Sequence, residues 1–455
     1  MRNLSLSNII AATHGDYHGA AELLDREITA VTTDSRSVLR GALFAAIPGE
    51  RADGHDFIGG AAAAGALAAL AQRVPVGCTI PVIVVKNTIE ALGELAAFYR
   101  RQFAVPVLGV TGSVGKTTAK EMLSAVLSQR FKVHKTAKNL NNELGVPLTL
   151  FGLDETTEFA VVEMGISHFG EMTRLAQIVA PDMALYTRIG SAHLEFLGDY
   201  DGVLRAKTEM LPLLPPDGTV FLNGDDAMLR RVNCAQPVCR YGTAPDCDVR
   251  GENVRLLDSG GMAFDIVSDG RRIAAKINAY GLHLLTAALG AAAVGLKMGL
   301  TEEEIAAGIA AYVPVGSRAG RIKTDCLTIV DDCYNANPTS VAAALDSLSL
   351  LPGRHVCILG DMKELGENEE RLHYETGAYA VKTGVSLVVT CGALAKEIAA
   401  GADGAQGETA VWFQDKAALI RALPKLLQKG DTVLVKASHS MAFEEIVEAL
   451  KQLRC

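Results

Sequence analysis

The sequence predicts an α/β protein with three domains: a small N-terminal α/β domain, a central P-loop domain with a mostly parallel sheet, and a C-terminal Rossmann-like domain. The chain has 455 residues, of which 49% are hydrophobic. At about 100–200 residues per domain, this length corresponds to about three domains. Apolar runs typical of buried strands alternate with helical stretches. The alternation restarts near residues 105 and 315, so we expect domains at 1–103, 104–314 and 315–455.

The N-terminal domain is predicted from short β-like runs at residues 43–47 and 81–85, which are mixed with Ala-rich helical stretches. It ends in a helix-like segment, 88–103. The apolar stretches 61–71 and 284–296 are too short for the roughly 20 residues that span a bilayer. We therefore expect both stretches to be buried helices.

The central domain begins with the apolar run VPVLGV at 105–110, which leads through a glycine-containing turn into a helical stretch. Further strands are predicted at 159–164, 183–186 and 219–222, and an Ala-rich helix after His283 closes the domain. In the C-terminal domain, buried strands are predicted at 327–330, 355–359, 385–390 and 432–435. Both patterns are typical of mostly parallel sheets with covering helices.

Charge and composition exclude several classes of protein. The net charge of −9 and the absence of Lys/Arg runs argue against nonspecific nucleic-acid binding. The first residues lack the pattern of a secretory signal, so we expect a cytoplasmic protein without membrane insertion. The nine cysteines are expected to be reduced thiols, because no C-x-x-C pair occurs. A cluster of three cysteines could bind zinc, but its spacing fits no common zinc site. These are Cys234, Cys239 and Cys247.

A phosphate-binding loop is predicted at residues 110–118, between the strand and the helix that open the central domain. Glycines allow backbone N–H groups to face a polyphosphate, the helix N-terminus adds a positive dipole, a lysine offsets charge, and a hydroxyl ligates Mg²⁺. No N/T-K-x-D segment typical of GTPases follows. The residues expected to bind the nucleotide here are Thr111, Gly112, Ser113, Gly115, Lys116, Thr117 and Thr118.

Several long motifs resemble those of one enzyme family. The segment TGSVGKTT, followed by KNLNNELGVPLTL at 138–150, resembles the central domain of the Mur ligases. Near the N-terminus, TDSR at 33–36 and GALFAAIPGERADGHDFI resemble the domain that holds the UDP part of the substrate in this family. The segments DDCYNANPTS at 331–340 and LGDMKELGE at 359–367 resemble the branch of the family that adds D-alanyl-D-alanine. The resemblance runs almost end to end.

The resemblance implies an ATP- and Mg²⁺-dependent ligase that joins D-alanyl-D-alanine to UDP-N-acetylmuramoyl tripeptide during cytoplasmic peptidoglycan precursor synthesis. It implies a central P-loop ATPase domain, an acyl-phosphate intermediate and no nucleic-acid partner, and we expect a monomer. Two alternatives remain open. One is another amide ligase of the same architecture, such as another Mur-type ligase or a folylpolyglutamate synthetase. The other is a P-loop ATPase that acts on a protein partner.

Three residues are expected to be catalytic together with Lys116, and with Thr117 to hold the metal. Glu163 ends a predicted strand at the sheet edge where ligands bind, although a Glu there also caps helices. His193 is similar to the family histidine that contacts a second magnesium, whereas a lone His is often simply packed. Lys207 resembles the family's carbamylated lysine; from its chemistry alone it would be a surface lysine. Carbamylation requires a neutral amine and hence a lowered pKa.

Asparagines and loop residues are the expected substrate ligands, although Asn clusters and Asn-Pro pairs are also ordinary turn chemistry. Asp332 is expected at the nucleotide, where the loop after a strand faces the cleft. The VKASHSM segment has His439 where the family more often has Arg, which leaves a charge contact there in doubt. The residues expected to bind substrate are Ser35, Arg36, Asn139, Asn141, Asn142, Tyr334, Asn335, Asn337 and Lys436.

The segment GLHLLTAAL keeps His283, expected at the nucleotide, but has Leu284 and Ala287 where the family usually has asparagines near adenine. Adenine recognition must therefore use other groups. An arginine of the third domain is expected to bridge the γ-phosphate; Arg318 is preferred, with Arg321 as the alternative. The break near Gly316 predicts that the third domain rotates on binding.

Overall fold

The chain folds around three separate β-sheets of five, nine and six strands. In this computed structural model, residues 1–49, 52–257, 261–279, 281–317, 320–407 and 409–454 are described, without the side chains of 282 and 406. The three sheets confirm the α/β class and its three sheet-containing regions. The boundaries 1–103, 104–314 and 315–455 stay predictions.

The N-terminal sheet has the strand order β1-β5-β4-β3-β2, with parallel pairing except between β1 and β5. The stretch 61–71, predicted as a buried helix, is only partly helical, because residues 68–71 form a fully buried central strand. Periodicity does not distinguish a short buried strand from a helix. The elements are α1 (Leu6–Thr13), β1 (Asp16–His18), β2 (Val31–Thr32), β3 (Leu43–Ala45), α2 (Ile58–Ala63), β4 (Ala68–Ala71), β5 (Val82–Val84) and α3 (Thr88–Arg100).

Helix α3 joins the N-terminal sheet to the central domain. The Tyr99 hydroxyl donates to the carbonyl of Leu153 at 2.8 Å, and Arg100 Nε donates to the carbonyl of Val179 at 3.1 Å. One hydrophobic core runs from Leu4 through this helix into the central domain. Because the two regions share a core, they are held together as one body.

The central sheet has the order β14-β13-β12-β11-β10-β9-β6-β8-β7. The strands from β7 to β12 pair in parallel, and β12 to β14 form an antiparallel meander that the sequence analysis did not predict. The elements are β6 (Val107–Thr111), α4 (Lys116–Leu127), β7 (Val133–Lys135), α5 (Gly145–Leu150), β8 (Phe159–Glu163), α6 (Glu171–Val179), β9 (Met183–Tyr186), α7 (Leu194–Leu197), α8 (Tyr200–Thr208), β10 (Val220–Asn223), β11 (Val238–Gly242), β12 (Val249–Leu257), β13 (Gly261–Ser268), β14 (Arg271–Ile277), α9 (Leu282–Lys297) and α10 (Glu302–Ala310).

The C-terminal sheet has the order β15-β16-β20-β17-β18-β19 and is parallel except for the edge strand β15. An antiparallel edge strand on a parallel sheet is common in doubly wound folds. The elements are β15 (Gly320–Lys323), β16 (Thr328–Asp331), α11 (Pro338–Leu348), β17 (His355–Gly360), α12 (Glu369–Lys382), β18 (Leu387–Cys391), α13 (Ala395–Gln406), β19 (Ala410–Phe413), α14 (Lys416–Leu426), β20 (Thr432–Lys436) and α15 (Glu444–Lys451).

Seven of the described cysteines are free thiols, as the sequence predicted. Cys234, Cys239 and Cys247 are free thiols, and the described part of the chain contains no group of three or more His, Cys, Asp or Glu side chains arranged for a metal. Cys326, however, is disulfide-bonded, so the expectation that all the cysteines are reduced is wrong at this residue. Among the described helices, none has the length and apolar character needed to cross a membrane.

Candidate active site

A cavity of about 400 Å³ lies between the central and C-terminal domains. The central domain contributes the phosphate loop, the asparagines of residues 139–142, the segment after β8, His193 and His283. The C-terminal domain contributes β15, the loop after β16, one face of α11 and Lys436. The volume is in the range of small-molecule sites.

The phosphate loop has the backbone that the motif requires. Gly112 has φ +148°, and a Cβ placed there would lie 2.1 Å from Thr187 Oγ1, so only glycine fits. Gly115 has φ +86° immediately before α4. Lys116 Nζ donates to the Gly112 carbonyl at 2.8 Å. The N-terminus of α4 therefore faces the cavity, as an anion site requires.

The predicted nucleotide residues divide into two groups. Thr111 is buried, its hydroxyl donates to the Met164 carbonyl at 2.8 Å, and with Gly112 it lies behind the cavity wall. These two residues shape the loop. The residues of the loop that line the cavity are Ser113, Gly115, Lys116, Thr117 and Thr118.

Glu163 ends β8 beside the phosphate loop and is 1% exposed. The Thr117 hydroxyl lies 3.1 and 3.0 Å from its two carboxylate oxygens, and Asn141 Nδ2 donates to Oε1 at 2.7 Å. Parallel strands β6 and β8 are neighbours, which brings their carboxyl ends together. The structure therefore brings together three residues that the sequence analysis selected separately.

Lys120 is a residue of this site that the sequence analysis missed. Its side chain is fully buried, and Nζ donates to the Thr136 carbonyl at 2.8 Å and lies 3.0 Å from Glu121 Oε1 and 3.8 Å from Glu163 Oε2. It lies one helical turn after Lys116, in the same register on α4. A lysine at that spacing was the available signal, but Glu163, the buried carboxylate that it contacts, comes from another element.

His193 lines the cavity and forms a hydrogen bond with the C-terminal domain. Its Nδ1 lies 2.5 Å from Glu364 Oε2, and the hydrogen bond lowers the pKa of the Glu364 carboxyl. Glu364 was also missed, because this pairing joins residues that are 171 positions apart in the chain. The motif LGDMKELGE was recognised, but nothing in it indicated the contact with His193.

Lys207 is buried, with 1% exposure, so its chemistry-based assignment as a surface lysine is wrong. Burial, followed by the charge of Lys116, places the pKa of its ammonium well below the usual value, while Glu171 opposes the shift. Lys207 lies outside the residues that line the cavity. A lowered pKa favours the neutral amine that carbamylation requires.

The loop after β16 is held by Lys436, which is 4% exposed. Its Nζ lies 2.6 Å from Asp332 Oδ2 and donates to the Asn335 carbonyl at 2.9 Å. Tyr334 stacks near His439 with ring centroids 5.3 Å apart. Asn337 caps α11 by accepting from Ser340 N at 2.8 Å, the turn role that the sequence left open. All the predicted residues of this loop line the cavity.

Of the remaining residues predicted to bind substrate, three line the cavity and two lie outside it. Asn139, Asn141 and Asn142 line the cavity, and Asn142 Oδ1 also accepts from Gly145 N at 2.9 Å. Ser35 and Arg36 lie in the N-terminal domain outside this cavity, where Arg36 forms a bidentate pair with Asp34 at 2.9 Å.

His283 and Arg321 line the cavity, whereas the preferred Arg318 lies outside the described residues. Burial lowers the pKa of His283. The charge of Asp332 opposes this shift, and the charge of Lys436 adds to it. Leu284 and Ala287 pack in the hydrophobic core below α9. Their apolar side chains are thus explained by the core they fill.

Comparison with protein families identifies the class. Residues 27–100 match the model described as Mur ligase family, catalytic domain, residues 110–295 the Mur ligase middle domain, and residues 317–439 the Mur ligase glutamate ligase domain. The chain belongs to the Mur ligase family. The matches follow the three sheets in order.

Within this family, two curated relatives share one name. The UDP-N-acetylmuramoyl-tripeptide–D-alanyl-D-alanine ligase of Escherichia coli (strain K12) is 38% identical over 99% of each chain. The ligase of the same name from Bacillus subtilis (strain 168) is 38% identical over 93% of each chain. The sequence prediction that the chain is most like this branch is confirmed.

Solved structures of MurF have the same fold as this chain. MurF from Acinetobacter baumannii superposes with a TM-score of 0.91 at 31% identity, over 99% of each chain. MurF from Thermotoga maritima in complex with ADP has a TM-score of 0.84 at 28% identity, covering 93% of this chain and 97% of that one. A folylpolyglutamate synthase of Mycobacterium tuberculosis has a TM-score of 0.63 at 16% identity, covering 80% of this chain and 95% of that one, and shares only the fold.

Proposed function

We propose that this chain is a cytoplasmic ATP-dependent ligase that forms an amide bond between D-alanyl-D-alanine and UDP-N-acetylmuramoyl tripeptide, as its relatives are named for doing. The observation that carries the proposal is the single cavity lined by both the phosphate loop and the loop from Asp332 to Asn337. A cavity between two domains encloses nucleotide and acceptor together and excludes water from a reactive intermediate. This is what an acyl-phosphate ligase requires.

Lys116 and the N-terminus of α4 are the proposed phosphate site. The Lys116 ammonium hydrogen-bonds a carbonyl of its own loop, 2.8 Å away, so it is held at the loop and turns to a phosphate oxygen when ATP binds. Its charge offsets the negative charge on the transferred phosphoryl group. Arg321 and His283 line the same cavity and are proposed to contact the nucleotide.

The oxygen donors of the site fit a magnesium ion. The Thr117 hydroxyl and the Glu163 carboxylate lie within 3.1 Å of each other and both line the cavity, and Mg²⁺ prefers oxygen ligands. We infer that these two residues hold one ion, that His193 contacts a second magnesium, and that a carbamylated Lys207 is a further metal ligand. When bound, the metal neutralises phosphate charge.

The chemistry starts when the terminal carboxylate of the tripeptide attacks the γ-phosphorus of ATP, which displaces ADP and leaves an acyl phosphate on the tripeptide. The amine of the dipeptide then attacks the carbonyl of the acyl phosphate, phosphate leaves, and an amide remains. No protein nucleophile takes part. Asn139, Asn141 and Asn142 on one wall and Tyr334 and Asn335 on the other orient the two substrates by hydrogen bonds.

The test is phosphate release with ATP, Mg²⁺ and UDP-N-acetylmuramoyl tripeptide, measured with and without D-alanyl-D-alanine. Release that requires the dipeptide and disappears in Lys116→Ala supports the proposal. Release that requires a different amino acid indicates another ligase of this architecture. Release without any acceptor indicates an ATPase, and either result overturns the proposal.

A further inference from the structure

A hydrogen bond crosses the domain interface at the wall of the cavity. His193 lies immediately before α7 in the central domain, and Glu364 lies in the loop after β17 of the C-terminal domain. Their Nδ1 and Oε2 atoms are 2.5 Å apart. An ionised carboxylate only accepts hydrogen bonds, so Nδ1 carries the proton, and in the neutral ring Nε2 then keeps its lone pair.

The backbone on both sides of the interface is shaped for this contact. His193 has φ +58° and Glu364 has φ +61°, left-handed conformations that non-glycine residues rarely adopt. The Glu364 carbonyl accepts from Glu195 N at 3.3 Å. Gly366 has φ +68°, and a Cβ there would lie 3.2 Å from Glu195 Cα. Strained residues persist where the surrounding structure fixes them, and they concentrate at functional sites.

The segment that carries His193 is also attached to the phosphate loop and to a second point of the C-terminal domain. The Ser113 hydroxyl accepts from Gly190 N at 2.9 Å and donates to the Gly190 carbonyl at 3.2 Å. Ser191 N donates to Thr339 Oγ1 at 3.1 Å, and Thr339 N donates to Ser191 Oγ at 3.3 Å. Residues 190–193 therefore connect the phosphate loop to the C-terminal domain.

We propose that Glu364 is a positioning residue that fixes the ring and the tautomer of His193, so that Nε2 is presented to the cavity only when the C-terminal domain is closed. Among the described residues, Glu364 is the one whose side chain hydrogen-bonds to this ring. A carboxylate behind a metal-binding histidine sets its tautomer and raises its basicity. The consequence rests on the proposed function: the C-terminal domain completes the metal site of the central domain.

The first test reads the tautomer directly in the metal-free protein. Protein labelled with nitrogen-15 in histidine is compared by NMR as wild type, Glu364→Ala, Glu364→Gln and Glu367→Gln, and His193→Ala identifies the resonance. Glu367 is an exposed carboxylate in the same loop and serves as the matched control. We expect the Nδ1–H tautomer in wild type and Glu367→Gln, and its loss in Glu364→Ala. A resonance unchanged by Glu364→Ala overturns the proposal.

The second test measures the Mg²⁺ concentration that gives half-maximal phosphate release. We expect Glu364→Ala to raise it about 10–100-fold, Glu364→Gln to raise it less, and Glu367→Gln to leave it unchanged. A loss of kcat in Glu364→Ala with an unchanged Mg²⁺ requirement overturns the positioning role. The NMR result does not depend on which acceptor the enzyme uses, so failure of this inference is distinguishable from failure of the proposed function.

Discussion

The Thr117 hydroxyl lies 3.1 and 3.0 Å from the two carboxylate oxygens of Glu163, which joins the phosphate loop to the end of the neighbouring strand. The carboxylate also accepts from Asn141 Nδ2 at 2.7 Å. Three polar groups thus converge at one edge of the sheet, where open α/β proteins bind their ligands.

Removing the charge of Glu163 while keeping its shape tests this arrangement. Glu163→Gln keeps an oxygen that accepts from Thr117 and Asn141 but loses the negative charge that a metal requires. We expect kcat to fall roughly 10²–10³-fold, the range for loss of one electrostatic group in an active site. We expect thermal stability to fall less than in Lys120→Met, because Lys120 keeps Glu121 as an ion partner at 3.0 Å. Steady-state phosphate release and a melting curve check this result. An unchanged kcat would remove Glu163 from the metal site.

Lys120→Met tests the buried lysine beneath this carboxylate. The substitution leaves Glu121 and Glu163 without the ammonium that lies 3.0 and 3.8 Å from them. Removal of one partner from a buried pair costs about 3–5 kcal/mol, measured as the free energy of unfolding in urea. The double variant Lys120→Met/Glu163→Gln is expected to recover part of this loss. Additive losses would show that Lys120 and Glu163 are not coupled.

Gly112→Ala tests the backbone of the phosphate loop. The new Cβ would lie 2.1 Å from Thr187 Oγ1, at φ +148°. We expect about 1–3 kcal/mol of lost stability and a clear loss of ADP affinity, measured by calorimetry. Gly60→Ala is the matched control, because a Cβ at Gly60 has no atom within 4 Å. Equal ADP affinity in Gly112→Ala and wild type would contradict this account of the loop.

The pKa shift of His283 predicts a pH dependence. Burial lowers the pKa of the folded-state imidazole below its ordinary value of 6.5, so below that pH the unfolded chain binds more protons than the folded one. The free energy of unfolding is therefore expected to fall as pH drops through 6.5, and to be independent of this group above it. In His283→Gln this contribution is absent. Urea unfolding of wild type and His283→Gln at about pH 5.5 and about pH 8 measures this contribution. Identical pH dependence of the unfolding free energy in the two proteins would refute the prediction.

The sequence predicted those parts of the site whose signal is local. Glu163 ends a strand, and Lys116 and Thr117 begin the helix that follows the neighbouring strand through a glycine turn. The parallel order of the sheet then brings these segments together. Lys120 and Glu364 were missed because what defines them is a partner far along the chain. The strand at residues 68–71 was missed for another reason: three alanines and one leucine, all buried, carry no period that separates strand from helix.

Closure of the C-terminal domain is tested at Gly190. A Cβ there would lie 2.6 Å from Thr339 Oγ1 and 2.9 Å from Thr339 Cβ, while the backbone of Gly190 itself permits alanine. Gly190→Ala therefore holds α11 away from the central domain. We expect ADP affinity to change less than about threefold and kcat to fall at least about tenfold, because water enters the cavity and the second wall is displaced.

The matched control for this prediction is Gly190→Ala/Thr339→Gly, which removes the atoms that the new methyl group meets. Partial recovery of kcat in the double variant, and a larger radius of gyration in Gly190→Ala than in wild type by small-angle scattering with ATP analogue and tripeptide, are the expected results. If Gly190→Ala closes as far as wild type and still loses kcat, the defect lies in the phosphate loop, to which Gly190 is bonded through Ser113. The contact between Gly190 and Thr339 would then not be what limits closure.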